Sequence, residues 1–451
     1  MTGSSSPQAN PTAHLRRSLG LWALVFYGIV LIQPTAPMPL FGVVMQEARG
    51  HAVTTILIAM VAMLFTAVSY GRMARAYPSA GSAYTYVGRE IHSGLGFVTG
   101  WSMAMDYMLN PLICTIWCSK AAMNIVPQPP YPVWVFFFAA LFTAMNLQSI
   151  RTTARTNQLL VLALCAVVAI FLFAAIRYLL PVPNLSFTRP FYDPATFSWR
   201  AVSAGTSIAV LTYIGFDGIS TLSEEAHNPR RNIMLATVLA CLITGLLASA
   251  EVYAGQLIWP DYRSYPDADT AFVYVAGRAG GMALFHLVNF SLLVATVGSG
   301  AASQLAAARL LYGMGRDNTI PKGFFGALDS RRGIPRNNVI VVGALACGGA
   351  LAISYQLGAE LLNFGAFIGF MGVNAASFTR YYLHSEKRNL SDAVVPALGF
   401  VICAYIWLSL RIPAKIAGGG WLLLGVIYGA YKSSGFRREI GFFGTHPETE
   451  E

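Results

Sequence analysis

The sequence predicts an all-α integral membrane protein with about twelve transmembrane helices, two of which are broken inside the membrane. Of its 451 residues, 55% are hydrophobic and 11% are charged, whereas a soluble domain carries roughly 25% charged residues. The chain also contains a series of apolar segments of about 20 residues or more, the length that a bilayer core requires. Two of these segments, one in each half of the chain, are interrupted by prolines or glycines.

Twelve apolar segments account for most of the chain. With the amino terminus inside, most Lys and Arg residues fall in cytoplasmic segments, as the positive-inside bias requires. This orientation, rather than nucleic-acid binding, explains the net charge of +10. The predicted spans are 19–44, 54–77, 94–124, 131–150, 157–180, 200–223, 233–258, 281–312, 337–356, 359–383, 393–411 and 419–433.

The termini are predicted to be cytoplasmic. An even number of spans places both ends on one side, with tails at 1–18 and 434–451 around a transmembrane domain at 19–433. The polar start has no apolar core followed by a cleavage site, so a cleavable signal peptide is not expected. The predicted location is the plasma (inner) membrane, crossed many times.

The first interruption lies near 33–39 and contains Pro34, Pro37 and Pro39. Proline supplies no backbone N–H and restricts the residue before it, so carbonyls one turn back lose their partners and can face a ligand. The half-helix that follows offers a positively polarised N-terminus. A simple structural kink is the alternative. The candidate substrate contacts in this segment are Gln33, Thr35, Ala36 and Met38.

The second interruption lies near 215–218, where Asp217 stands between Gly215 and Gly218 and follows Tyr213. An ionisable residue at bilayer depth is costly and indicates function. Broken helix is tolerated there only inside protein or beside a cavity, and glycine allows the backbone to approach a ligand closely. Asp217 is predicted to balance an ammonium or to carry a proton; pairing with an Arg or Lys elsewhere is the alternative. Glu224 and Glu225 are predicted gate or structural residues.

Helix count and orientation indicate a repeat. Spans 1–5 begin inside and end outside, so spans 6–10 run in the opposite sense. Five helices followed by five inverted ones, with breaks at corresponding places, is a plan of secondary transporters whose substrate site lies at the breaks.

Other polar residues inside the spans are candidates as well. Asp106 and Asn110 are four apart and share a helix face, and Pro111 frees a carbonyl near Tyr107; an interhelical hydrogen-bond pair is the alternative. Ser299 and Ser303 suit a cation site or close helix packing, and Glu251 is a weaker candidate. The cysteines lack further ligands nearby, so neither a metal site nor a cofactor is predicted.

Three motifs resemble the amino acid–polyamine–organocation (APC) superfamily of transporters. They are Gly215-Phe-Asp-Gly with Glu224-Glu-Ala-His-Asn-Pro-Arg-Arg-Asn-Ile233, Tyr77-Pro-Ser-Ala-Gly-Ser-Ala-Tyr-Thr-Tyr86, and the stretch from Ala308 to Pro321. The resemblance covers nearly the whole chain. It implies the leucine-transporter-like fold, a central site between helices 1, 3, 6, 8 and 10, and alternating access.

Within the superfamily, three segments look most like putrescine-importer-type permeases: Gln33-Pro-Thr-Ala-Pro, the stretch from Trp101 through Asp106-Tyr-Met-Leu-Asn-Pro111, and Gly215-Phe-Asp-Gly. Typical amino acid members have a Gly-Ser-Gly-like first break whose amides hold the substrate carboxylate. Here prolines occupy it, which leaves fewer amides. The fifth span also has no lysine, which some proton-coupled members use to occupy a sodium-like position.

The sequence therefore predicts a secondary active transporter, not an enzyme, that imports an amine-bearing solute such as putrescine or an amino acid. The predicted coupling ion is the proton, with sodium as the second candidate. An exchanger and a general amino acid permease are the alternatives within transport. An intramembrane enzyme would need converging nucleophile–base or metal-ligand motifs, and a receptor would not require two broken helices.

Overall fold

A computed structural model describes residues 19–77, 82–148, 154–222, 226–316, 320–329, 333–386 and 388–435. Within these ranges the regular structure is helical, apart from an isolated bridge between Leu19 and Ala226. The helices are α1 (Leu21–Ile32), α2 (Phe41–Glu47), α3 (Ala52–Ala76), α4 (Ser82–Glu90), α5 (Ser93–Met123), α6 (Tyr131–Leu147), α7 (Ala154–Leu179), α8 (Trp199–Ala209), α9 (Pro229–Ile258), α10 (Ala271–Arg316), α11 (Lys322–Phe325), α12 (Arg336–Ala352), α13 (Tyr355–Phe378), α14 (Leu390–Leu408) and α15 (Ile412–Lys432), with 3₁₀ turns at Val210–Tyr213 and Phe216–Leu222 and a π turn at Thr379–Leu383.

The predicted all-helical membrane fold is confirmed. Within the described ranges, eight helical stretches are long and apolar enough to cross a bilayer, and α1, α6 and α12 are shorter apolar helices. The 31-residue α5 covers the predicted third span. α10 contains the predicted eighth span and begins ten residues before it. Gly281 (φ 71°) separates this leading helical segment from the spanning part.

Each of the first three spans lies beside the span that follows it five positions later in the chain. α1 packs against Phe216–Leu222, α3 against α9, and α5 against both α10 and α13. Small residues allow the close approach: a Cβ on Gly71 of α3 would lie 2.5 Å from Met234 of α9. This arrangement places the two interrupted spans side by side, as a five-plus-five plan requires.

The first break follows from its prolines. α1 ends at Ile32, and Gln33 adopts a positive φ of 68°. The chain then turns tightly, with Ala36 N donating to Gln33 O (3.2 Å), Met38 N to Thr35 O (3.1 Å) and Phe41 N to Met38 O (3.4 Å), until α2 begins. We call residues 33–40 the first break. Within the break, the N–H groups of Ala36 and Met38 are therefore bonded to carbonyls of the same turn.

The second break is sharper. The 3₁₀ turn Val210–Tyr213 ends at Ile214, whose backbone is extended (φ −60°, ψ 132°), and Gly215 has a φ of 116°. A Cβ built on Gly215 would lie 3.1 Å from the carbonyl oxygen of Leu31. The second break, residues 214–218, therefore touches the end of α1 directly.

Candidate functional site

A central cavity of about 130 Å³ lies between the two breaks, α5, α10 and the start of α13. Its walls bring together five of the predicted site residues from three separate spans. These residues are Gln33, Thr35 and Ala36 of the first break, Asn110 of α5, and Ser299 of α10.

The cavity also has walls that were not predicted. Cys114 and Trp117 line it from α5, and Cys114 Sγ donates to Asn110 Oδ1 at 3.2 Å. These positions follow Asn110 at i+4 and i+7, so helical spacing from Asn110 is the signal that would have found them. Tyr355, the first residue of α13, closes another side; its position depends on how α13 packs on α5, which the local sequence does not reveal.

Asp217 lies on the turn that follows Gly215 and is partly exposed. The backbone amides of Gly215, Asp217 and Gly218 lie near its carboxyl group. Gly218 N donates to Gly215 O at 3.1 Å, and Ser220 Oγ donates to the Asp217 carbonyl at 2.6 Å. No Lys or Arg among the described residues forms an ion pair with Asp217. The described part of the chain therefore supplies no basic partner for Asp217.

Asp106 and Tyr107 do not line the cavity and lie instead within electrostatic reach of Asp217. Both are partly exposed. The charge of Asp217 reaches Asp106 and Tyr107, and it also reaches the buried Tyr70 of α3. Asp106 and Asp217 thus form a second group. Asp106 lies one helical turn along α5 from the cavity residue Asn110.

Other predicted contacts point elsewhere. Tyr213 is fully buried and its hydroxyl donates to Ile56 O of α3 at 2.9 Å, so it links the sixth span to the second. Met38 is 1% exposed. Ser303 Oγ donates to Ser299 O at 2.8 Å within α10. Gly218 packs on the Leu31 side chain. Glu224 and Glu225 lie outside the described residues.

Sequence comparison decides the family. The model of the amino acid permease family matches residues 24–427. This chain belongs to that family, within the APC superfamily. It is therefore a multi-pass membrane permease and not an enzyme.

The permease resembles several curated transporters along nearly its whole length. It is 34% identical over 441 residues to the low-affinity putrescine importer PlaP of Escherichia coli (strain K12), covering 94% of this chain and 96% of that protein. It is 25% identical over 432 residues to the branched-chain amino acid permease BcaP of Lactococcus lactis subsp. cremoris (90% and 92% covered). It is 26% identical over 415 residues to the vacuolar cationic amino acid transporter 4 of Arabidopsis thaliana (84% and 66% covered).

The permease has a charged cluster three residues beyond Trp117. Lys120 Nζ of α5 lies 3.0 Å from Asp267 Oδ2 and 3.7 Å from Asp269 Oδ2, in the segment before α10. Burial and the neighbouring Asp267 raise the pKa of Asp269, and Lys120 opposes them. Two carboxyl groups face one ammonium, so the cluster favours a further positive charge nearby.

A cysteine at Ala36 tests whether the permease binds its substrate against the first break. In a background without the native cysteines, labelling of Ala36→Cys by a thiol reagent is expected to slow when a transported compound is added, because Ala36 is partly exposed in the cavity wall. Met38→Cys is the matched control, since Met38 is buried in the same break. Labelling at Ala36 that no transported compound changes would leave the prolines with a purely structural role.

Proposed function

We propose that this permease is a secondary active importer of a small amine-bearing solute, a polyamine such as putrescine or an amino acid, working by alternating access and coupled to protons. One observation carries the proposal: two partly exposed carboxyl groups, Asp106 and Asp217, lie beside the helix breaks without a basic partner among the described residues. A charge in a partly dry site needs a partner. A cationic substrate supplies it.

The size of the cavity suits a small solute. The cavity has a volume of about 130 Å³, and both polar and apolar side chains line it. Side-chain oxygens of Gln33, Thr35, Asn110 and Ser299 can accept from an ammonium, while Ile113 and Leu292 supply apolar wall for a short alkyl chain.

The backbone donors of both breaks also favour an amine over a carboxylate. Prolines 34, 37 and 39 have no N–H, and the N–H groups of Ala36 and Met38 are bonded to carbonyls of the same turn. In the second break, the amides nearest the site face the Asp217 carboxyl. A substrate carboxylate would therefore find few free amides, whereas an amine finds acids and carbonyls.

The charges near the cavity point the same way. Asp269 of the cluster with Lys120 and Asp267 is within electrostatic reach of the cavity residue Tyr355. An excess of one sign of charge raises the local concentration of the opposite ion. The acidic excess there would attract a cationic solute.

The membrane location is part of the proposal. The charge bias supports the plasma (inner) membrane, with tails 1–18 and 434–451 on the cytoplasmic side and domain 19–433 in the bilayer. This orientation puts the Lys120 cluster on the outer side.

The similarity to the branched-chain permease keeps a general amino acid permease as the second candidate, and an obligate exchanger as a third. The apolar wall formed by Ile113 and Leu292 favours the second candidate, since it could hold an aliphatic side chain. The proposed amine importer and the general amino acid permease differ in whether the amine or the rest of the solute dominates recognition.

Uptake into proteoliposomes of labelled putrescine, cadaverine, arginine, alanine and glutamate, with and without a pH gradient, tests the proposal. We expect a diamine to block uptake better than an amino acid of similar length. Asp106→Asn should weaken the binding of a diamine more than the binding of a monoamine, because the substitution removes one of two acids. Strong competition by neutral amino acids, with none by diamines, would instead establish the general amino acid permease.

A further inference from the structure

Glu251 of α9 is a buried acid that the substrate site does not use. Its side chain is fully buried, and neither carboxyl oxygen has a hydrogen-bond partner among the described residues. Isolated ionised carboxylates cost several kcal/mol to bury, so the neutral acid is the form that this packing accommodates.

The position of Glu251 connects it to the first break. Gly255 of α9 packs against the ring of Phe41, where a Cβ would lie 3.2 Å from Phe41 Cε2. Phe41 is the first residue after the break. Glu251 precedes Gly255 by four residues, which is about one turn or 6 Å and places it on the same face of the helix. The carboxyl therefore lies at the level of the break.

Aromatic rings close the space at the level of Gly255. Phe41 and Phe272 form an edge-to-face pair with ring centroids 5.3 Å apart, and Phe171 of α7 lies 4.7 Å from Phe272. All three rings are fully buried. Packed aromatic rings of α2, α7 and α10 therefore cover this part of α9.

The charged and titratable groups around Glu251 are few. From α7, the Cys165 thiol is within electrostatic reach. α1 and the first half of α3 have no charged side chain. From α2, Glu47 bonds to Gln356. From α10, Arg278 lies over Trp259. From the second break, Asp217 acts on Cys241, ten residues or about 15 Å before Glu251 along α9.

We propose that Glu251 is the proton-binding site of the transport cycle and that it senses the first break. The proton comes from water on one side of the membrane, neutralises the carboxylate, and leaves to water on the other side. Release requires the break and its aromatic cover to move, because the ionised form needs water or a donor that the present packing lacks. A proton bound more tightly in one conformation than in another shifts the population between them.

This assignment separates two roles. Asp217 lies at the second break beside backbone amides and within electrostatic reach of Asp106, a position that suits a counter-ion for the substrate. Glu251 is buried, and its carboxyl oxygens have no hydrogen-bond donor among the described residues. The proposal rests on the proposed function, since it concerns coupling in a proton-driven importer.

Glu251→Gln tests the assignment because the amide imitates the protonated acid permanently. In proteoliposomes, exchange of internal unlabelled for external labelled putrescine, without a pH gradient, should stay within about threefold of the parent. Accumulation driven by a pH gradient should fall at least tenfold. Asp261→Asn, in an outer-loop turn where its carboxyl accepts from Arg263 N, is the control and should preserve both. Gradient-driven accumulation by folded Glu251→Gln, or loss of its exchange, would overturn the proposal.

Infrared spectroscopy provides a measurement that needs no substrate. The parent should show a protonated-carboxyl stretching band that Glu251→Gln lacks and Asp261→Asn keeps; an unchanged band would refute the proton site. If Glu251→Gln does not fold, Glu251→Leu replaces it in this measurement. Glu251→Leu should be at least as heat-stable as the parent and should also lack the band. If the parent takes up no amine, the proposed function fails, while the band still decides the protonation of Glu251. If it exchanges putrescine but ignores a pH gradient, only the coupling proposal fails.

Discussion

Asp217→Asn is expected to cut amine uptake at least tenfold, on the order of 1.4 kcal/mol or more, while the protein still inserts into the membrane. The substitution removes the charge that would balance an ammonium. It also replaces one of the two acceptor oxygens by an NH2 group, beside the amides of Gly215, Asp217 and Gly218. The second break would keep a single acceptor there and lose its charge.

Glu386→Gln is a suitable control for this variant, because Glu386 is an exposed acid between α13 and α14. Uptake should be measured both as exchange at equal pH and as accumulation driven by a pH gradient. A counter-ion role predicts that both fall, since substrate affinity is lost. A proton-carrier role predicts that accumulation falls more than exchange. Near-normal uptake with normal pH dependence would exclude both roles for Asp217.

The positions of the two breaks could be predicted because they depend on residues with strong local effects. Three prolines within six residues, Pro34, Pro37 and Pro39, remove too many backbone N–H groups for a helix to continue, and glycine is the residue that best tolerates a φ of 116° at position 215. The structure accordingly ends α1 at Ile32 and interrupts the sixth span at Ile214. Local chemistry also explains the kink at Gly281, where the sequence interpretation placed the start of the eighth span.

The directions of side chains could not be predicted in the same way. Tyr213 is next to the second break in sequence, yet its hydroxyl reaches Ile56 of α3. Asp106 and Asn110 share a face of α5, but Asn110 lines the cavity and Asp106 lies within the field of Asp217 instead. These outcomes depend on which neighbouring helix covers each turn, and that is decided by packing between distant segments.

The amides of the second break illustrate the same point. The sequence interpretation expected the glycines there to let the backbone approach a ligand closely. In the structure, the backbone of Gly215 approaches the carbonyl of Leu31 instead, and the amides of the turn lie near Asp217. The local backbone, which is tied by the bonds Gly218 N to Gly215 O and Ser220 Oγ to Asp217 O, therefore fixes where Asp217 lies.

Gly215→Ala is expected to lower uptake at least tenfold, because the second break depends on glycine for two reasons. Its φ of 116° lies where a side chain costs of order 1–3 kcal/mol. The added Cβ would also lie 3.1 Å from the carbonyl oxygen and 3.2 Å from the carbonyl carbon of Leu31. Backbone cannot withdraw as a side chain can, so α1 and the break would have to separate at the point where Asp217 is positioned.

Gly218→Ala is the matched control, three residues away in the same break. Its Cβ would meet the Leu31 Cδ1 atom at 2.7 Å, the tip of a side chain that is 37% exposed and can rotate away. We expect Gly218→Ala to keep uptake within about threefold of the parent, less than 0.7 kcal/mol at about 1.4 kcal/mol per tenfold. Both variants should be compared for thermal stability in detergent and for putrescine exchange. Equal losses in the two variants would show that the site needs space throughout the break, rather than the backbone conformation that Gly215 alone provides.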